Sequence, residues 1–366
     1  MIKLTKLLTS FLFSTLLFFS YFVAVSQEVQ NNGKIRNMTG KEIEMDSLNH
    51  FTKVLMDKLQ VPGISMAIIN NGTVVYHSTA GYADIEKGQK VTANTIFEGA
   101  SLSKPLFSFL AMSFVEQGML DLDTPLYTYL PYPDIAHDDR YKKITARMVL
   151  SHTTGFPNWR SDYDSKALFI QFEPGSSFFY SGEGYQYLAK VLAHLNHTDD
   201  LGLERIFQKR IAEPLNLQTT KFIQDKKNLK NKARGYVGNK PYSGNDDLSV
   251  FGAAFSVHAE ALDFSKWLVA LLNKDLISEK SYQELFGTQV VLPEDHEQRQ
   301  LGVSEWTLGF AKAQLPIGVA FGHGGNNPGY TSLFAIVPET KWGVVIFTNA
   351  NQSQLPLGIL QYLMTP

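Results

Sequence analysis

Ser101-Leu102-Ser103-Lys104-Pro105 sets a hydroxyl and an amine three residues apart, at the head of an apolar run from Leu106 to Phe114. On a helix, positions i and i+3 share a face, so the amine of Lys104 reaches the oxygen of Ser101. Pro105 marks the helix start, because a residue without an N–H is harmless only in the first turn. Proline also disfavours helical geometry at Lys104 just before it. That places Ser101 at the very N-terminus, where unpaired backbone N–H groups can hold an oxyanion. A serine alcohol needs an adjacent base near neutral pH, and a lysine serves only when burial or nearby positive charge lowers its pKa. The apolar run supplies the burial. Taken alone, S-x-x-K is common, and a capped helix with a solvated lysine is the plainer reading of it.

Outward from this stretch the sequence alternates between two periods. Leu48, Phe51, Leu55 and Leu59 recur at helical spacing, and Val61-Pro62-Gly63 ends that helix. Ile64 to Ile69 and Thr73 to Ser78 are β-rich and flank Asn70-Asn71-Gly72, whose Asn-Gly pair supplies the positive φ angles of a tight hairpin turn. The helix that opens at Ser101 is expected to stop at Gly118. Beyond it a helix runs from a Thr145 cap to His152, and another carries Tyr185, Leu188 and Leu192. Gly238 to Asp247 reads as a loop and Ala259 to Leu272 as a helix. Val319 to Gly322, Tyr330 to Val337 and Trp342 to Thr348 are short strands, and Leu355 to Leu363 a closing helix. The expected fold is therefore α/β plus all-α. An antiparallel sheet built from both chain ends and flanked by helices covers residues 47–120 and 251–366, and a mainly helical domain is inserted at 121–250.

Two further motifs change the weight of the first. Tyr180-Ser181-Gly182 follows the turn Glu173-Pro174-Gly175-Ser176 and precedes a helix. A phenol near a lysine can share proton transfer, although an aromatic packed at a loop–helix junction is common too. Phe321-Gly322-His323-Gly324-Gly325-Asn326 leaves a strand. Its glycines let a substrate lie against the strand edge and pair with backbone groups; a glycine-rich bend with a surface histidine is the alternative.

In this order and spacing the three motifs resemble the serine β-lactamase-related family, closest to its class C branch with the esterase and D-peptidase relatives. The resemblance runs from about Ser47 to Asn351 and takes in Leu150-Ser151-His152-Thr153-Thr154-Gly155, Gly309-Phe310 and Tyr330 through Asn349. It implies the β-lactamase/transpeptidase-like fold, with the site between an α/β and a helical domain. Carried over by position, Ser101 is the acylated nucleophile, Lys104 its partner, and Tyr180 the group that aids proton transfer to the leaving group. His323 stands where β-lactamases carry the lysine of K-T-G. The backbone N–H groups of Ser101 and Asn326 would be the oxyanion donors, with Gly324, Gly325 and Gly182 beside the substrate. No metal or cofactor is implied.

Two positions depart from the family pattern. Gly182 replaces the asparagine that binds a substrate side-chain amide, and His323 replaces a lysine whose charge favours a substrate carboxylate. Both weaken the case for efficient β-lactam hydrolysis, so the expectation is an exported serine hydrolase with esterase or D-peptidase-like activity on a small ester, amide or peptide. A true class C-like β-lactamase and a catalytically silent protein that binds peptidoglycan peptides remain the alternatives. A Ser–His–acid triad of the α/β-hydrolase kind is disfavoured because G-x-S-x-G is absent, and metal hydrolysis because H-E-x-x-H is absent. His152 and His258 read as loop or cap residues rather than ligands.

Composition bounds the rest. The 366 residues carry 33 basic and 35 acidic side chains, a balance unlike that of a nucleic-acid binder, and 44% hydrophobic residues, enough for a sizeable core. Cysteine is absent, which excludes disulfides and thiolate chemistry. Lys3 and Lys6 precede an apolar run from Leu7 to Val25 that ends in Ala24-Val25-Ser26, so residues 1–26 read as a signal peptide and the mature chain as exported, periplasmic or secreted. An uncleaved membrane anchor is the alternative, since the run is long enough to span a bilayer. Gln27 to Glu44 is polar and without periodicity, and residues 27–46 are expected to form a tether.

Overall fold

The computed structural model describes residues 33–242 and 250–365. The first described elements are a hairpin, β1 (Lys34–Arg36) and β2 (Glu42–Glu44), followed by α1 (Met45–Leu59). The expected tether is thus corrected over its described part. Ile35 and Met38 are buried, and the Met38 N–H donates to the Leu363 carbonyl at the far end of the chain. The segment lacks periodicity because three-residue strands are too short to show it. Residues 1–26 and the rest of the tether lie outside the described residues. No described helix is long and apolar enough to cross a membrane.

The Asn-Gly turn forms as its residues dictate: Asn71 and Gly72 take φ of 52° and 73° and close the hairpin of β3 (Gly63–Asn70) and β4 (Thr73–Asp84). β5 (Gln89–Lys90) pairs with β4, and β6 (Phe97–Ala100) leads into α2 (Ser103–Glu116). Residues 121–242 then hold α3 (Ala146–Leu150), α4 (Gly182–Leu195), α5 (Asp200–Phe207) and α6 (Lys226–Asn231). A small hairpin, β7 (Tyr236–Val237) and β8 (Lys240–Pro241), replaces the first part of the loop expected at Gly238 to Asp247, and its turn is made by Gly238 at φ 58°. Next come β9 (Val257–Ala259), α7 (Ala261–Asn273) and α8 (Glu279–Phe286). The short strands β10 (Val290–Val291), β11 (Glu305–Trp306) and β12 (Ala311–Leu315) precede the long β13 (Gly318–Asn327). Last are β14 (Tyr330–Val337), β15 (Trp342–Thr348) and α9 (Leu355–Leu363).

Among the described residues the main sheet has nine antiparallel strands in the order β10-β11-β12-β13-β14-β15-β3-β4-β5. The pairing of β15 with β3, from Gly343 opposite Ile69 to Thr348 opposite Ile64, joins the two chain ends into one sheet. Because side chains alternate along a strand, β3 feeds two cores. Ile64, Met66 and Ile68 pack with Leu48 and Met56 of α1 and Ile359 and Leu363 of α9. Ala67 and Ile69 join the larger core on the opposite face, with Phe264 and Trp267 of α7 and the residues of α2. α2 is apolar nearly all round, and Leu106, Phe107, Phe109, Leu110 and Phe114 are fully buried, as a central helix requires.

Candidate active site

β6 and α2 meet at Ala100, whose φ of 49° forces a sharp turn that carries Ser101 and Leu102 outside the helix proper. The helix starts at Ser103, two residues later than the sequence suggested. Pro105 still lies in the first turn, where its missing N–H breaks no helical hydrogen bond, and Lys104 is helical although it precedes a proline. Ser103 is buried and ties the turn together: its hydroxyl donates to the Ala100 carbonyl at 2.6 Å and accepts from the Val257 N–H at 2.8 Å. Ser101 is half-buried, and among the described residues no acceptor takes its backbone N–H.

Lys104 is the buried group that the apolar run promised. It has no exposed surface. Its Nζ lies 3.2 Å from Ser101 Oγ and donates to the Ala254 carbonyl at 3.0 Å. Burial lowers its pKa to about 7, because a charged amine loses its hydration there. Tyr180 stacks over the pair, with Nζ 4.5 Å from its ring centre. Burial pushes the Tyr180 phenol well above its ordinary pKa, and the Ser101 hydroxyl beside it pulls weakly the other way.

β13 brings the third motif. The strand does not end at Gly322 but continues through Asn327. β12 pairs with it only over Gly318 to Gly322, so among the described residues no strand pairs with its edge away from β14 from His323 onward. Gly325 is required by close approach, since a Cβ there would come 2.4 Å from the Gly99 carbonyl oxygen and 2.3 Å from Ser332 Oγ. A Cβ on Gly324 would meet nothing within 4 Å. The Asn326 side chain accepts from the Gln352 N–H at 2.9 Å, and Asn327 Nδ2 donates to Glu98 at 2.7 Å and to the Phe255 carbonyl at 3.2 Å. The strand and the turn at Ala100–Ser101 are therefore held to each other.

His323 is buried, not a surface residue. Burial and then the positive charge of Lys104 lower its pKa to about 3. Its Nδ1 lies 2.6 Å from the Gly324 carbonyl, which can only accept, so the proton of the neutral ring sits on Nδ1. Nε2, 3.4 Å from the Tyr180 hydroxyl, is then an acceptor for the phenol proton.

His152, expected in a loop or cap, is fully buried under Tyr180, with the rings stacked at 4.3 Å. Its Nδ1 accepts from the Ser181 N–H at 3.0 Å. His258 is likewise buried, on β9 opposite Glu98. Among the described residues no group of three or more His, Cys, Asp or Glu side chains could hold a metal ion.

Gly182 begins α4, capped by Ser181, but it turns no group toward Ser101. Its N–H goes to Asn158, and the Trp159 ring lies where its side chain would project, with atoms 2.5–2.9 Å from the Cβ position. Sequence reasoning missed Trp159, Phe255, the Ala254 carbonyl and Trp306, whose ring stands edge-on to His152, Tyr180 and His323. They sit on irregular or very short segments with no periodic signal.

A family model described as Beta-lactamase matches residues 48–361. Protein flp of Staphylococcus aureus (strain N315) is 22% identical over 337 residues, covering 85% of this chain and 65% of the relative, so the chain spans less than two thirds of that relative's length. Among solved structures, an octameric penicillin-binding protein homologue from Pyrococcus abyssi superposes with a TM-score of 0.74 at 23% identity, over 87% of this chain and 76% of the other. D-alanine carboxypeptidase AmpC from Burkholderia cenocepacia superposes at 0.72 and 18% identity, over 87% and 99%. These likenesses establish the β-lactamase/transpeptidase-like fold, and the extent of the family match means that this chain belongs to the beta-lactamase family of serine hydrolases.

Proposed function

We propose that Ser101 is the nucleophile of an acyl-enzyme mechanism, with Lys104 as its base and Tyr180 as the acid that protonates the leaving group. The observation that carries this reading is the fully buried Lys104 amine 3.2 Å from Ser101 Oγ, with a pKa of about 7. Neutral Lys104 takes the hydroxyl proton as Oγ bonds to the acyl carbon. The backbone N–H groups of Ser101 and Asn326 hold the oxyanion. Tyr180, kept protonated by burial and facing an acceptor rather than a cation at His323, gives its proton to the departing oxygen or nitrogen and is recharged from Lys104. Water then repeats the sequence on the ester and releases the acid. The opposed pKa directions of Lys104 and Tyr180 divide base from acid.

The substrate in this reading is an uncharged ester or amide, in the manner of an esterase or D-peptidase, rather than a β-lactam. A neutral histidine at 323 gives a substrate carboxylate no cation beyond Lys104 itself. Residues 1–26 are read as an export signal, and N-terminal sequencing of protein released from cells should begin at Gln27. Mass spectrometry after a fluorophosphonate probe tests the central assignment: label on Ser101 supports it, and an unlabelled Ser101 in folded protein rejects it.

A further inference from the structure

Two large aromatic side chains remain half-buried near the Ser101–Lys104 pair: Trp159 beside Lys104, and Phe255 against Trp159. The Trp159 ring centre lies 6.0 Å from Lys104 Nζ. Phe255 follows Ala254, whose carbonyl accepts from the same Nζ. The two rings meet edge to face at 5.6 Å and 82°. Aromatic surface left partly uncovered next to a nucleophile is the usual lining of a small-molecule site.

Both rings are carried by pinned backbone. On the Trp159 side, Ser181 Oγ donates to the Pro157 carbonyl at 2.9 Å, and the Gly182 and Glu183 N–H groups both donate to the Asn158 carbonyl at 3.1 Å. The Arg160 N–H donates to Glu183 at 2.9 Å, and its guanidinium is committed to Glu183, Asp134 and Tyr132. On the Phe255 side, the Ala254 N–H donates to Gln186 of α4, and the Phe255 carbonyl accepts from Asn327 of β13. The two rings thus present an apolar surface held in place by the backbone that carries them.

We propose that Trp159 and Phe255 form the subsite for the acyl part of the substrate, and that this part is an uncharged aromatic or branched apolar group. Trp159 fills the volume from which the family asparagine would offer its amide, so selection by hydrogen bond is replaced by selection by apolar contact. The proposal rests on Ser101 being the nucleophile. The test compares p-nitrophenyl phenylacetate with p-nitrophenyl acetate, which share a leaving group and differ only in the acyl part. It uses the full chain and the variants Trp159→Ala, Trp159→Phe and Phe255→Ala, with thermal unfolding to establish that each is folded.

The wild type should favour phenylacetate in kcat/KM by about tenfold or more, the scale at which apolar pockets discriminate. That ratio should fall roughly tenfold in Trp159→Ala and by less in Phe255→Ala, and Trp159→Phe should keep most of it. If Trp159→Ala does not fold, the other two variants carry the same comparison. A ratio unchanged across the variants, with Ser101 still labelled by the fluorophosphonate, overturns the subsite and leaves the nucleophile standing. A wild-type Ser101 that takes no label overturns both.

Discussion

Trp159 and Gly182 share one volume: the indole ring lies 2.5 Å from where a Cβ on residue 182 would stand. The glycine at the family's asparagine position is therefore no isolated loss but half of a pair, since no larger residue fits while the tryptophan holds its place. Gly182→Asn should destabilise the protein by about 1–3 kcal/mol, the usual cost of overpacking. In Trp159→Ala the same change should cost clearly less, which a double-mutant cycle in urea unfolding measures. A Gly182→Asn variant as stable as wild type would show that Trp159 simply swings aside.

Ser101→Ala removes one oxygen from a half-buried turn whose geometry is set by Ala100 and the Ser103 hydroxyl. The fold should survive with an unchanged unfolding midpoint, while turnover falls by several orders of magnitude, as for other lost nucleophiles. Steady-state hydrolysis of an aryl ester measures this. Turnover near that of wild type would move suspicion to Ser103, which the structure buries in a structural role.

Lys104 ties activity and stability to pH with definite signs. The base must be neutral, so kcat/KM should rise with pH through about 7. Lys104→Arg should be nearly inactive, because guanidinium does not deprotonate. The folded-state pKa lies below the ordinary 10.5, so between about 7 and 10.5 the unfolded chain binds the extra proton and stability rises with pH. Lys104→Met removes that component. Unfolding of both proteins across this range should show a steeper rise for the wild type, and parallel curves would mean that Lys104 is charged in the folded state.

The parts of the fold that were legible in the sequence have strong local codes. The Asn71-Gly72 turn, the strands Tyr330–Val337 and Trp342–Thr348 and the helix Leu355–Leu363 each carry a clear period or turn signal and stand where expected. The hairpin at Lys34–Glu44 did not, because its order comes from contacts with Leu363 and Thr365 at the other end of the chain. The same holds in the site. Ser101 and Lys104 are legible through their i, i+3 spacing, and Tyr180 and His323 through the order of motifs that carries the family resemblance. Trp159, Phe255 and the ring of His152 beneath Tyr180 act by shape and burial across long sequence separations, and a single sequence carries no period for that. His323 shows both sides: its position was legible, but its burial and its Nδ1 proton follow only from the walls around it.

His323 also carries the most discriminating substrate prediction. A β-lactam presents a carboxylate, and the family lysine meets it with a charge. Here the buried ring is neutral, with a pKa of about 3. His323→Lys would place a cation beside the Tyr180 hydroxyl, on the part of β13 that β12 does not pair. A charge-assisted hydrogen bond contributes about 1.5–3 kcal/mol, so kcat/KM for a chromogenic cephalosporin should improve by roughly ten- to a hundredfold. Hydrolysis of an uncharged aryl ester gains no such partner and should change much less. The new cation should also lower the pKa of Lys104 further by like-charge repulsion, moving the rise of ester hydrolysis to lower pH than in the wild type. A variant in which the ratio of cephalosporin to ester turnover stays fixed would show that residue 323 does not face the substrate carboxylate. A wild type that already prefers the cephalosporin to its best ester would make this chain a true β-lactamase, with the carboxylate bound by some group other than His323.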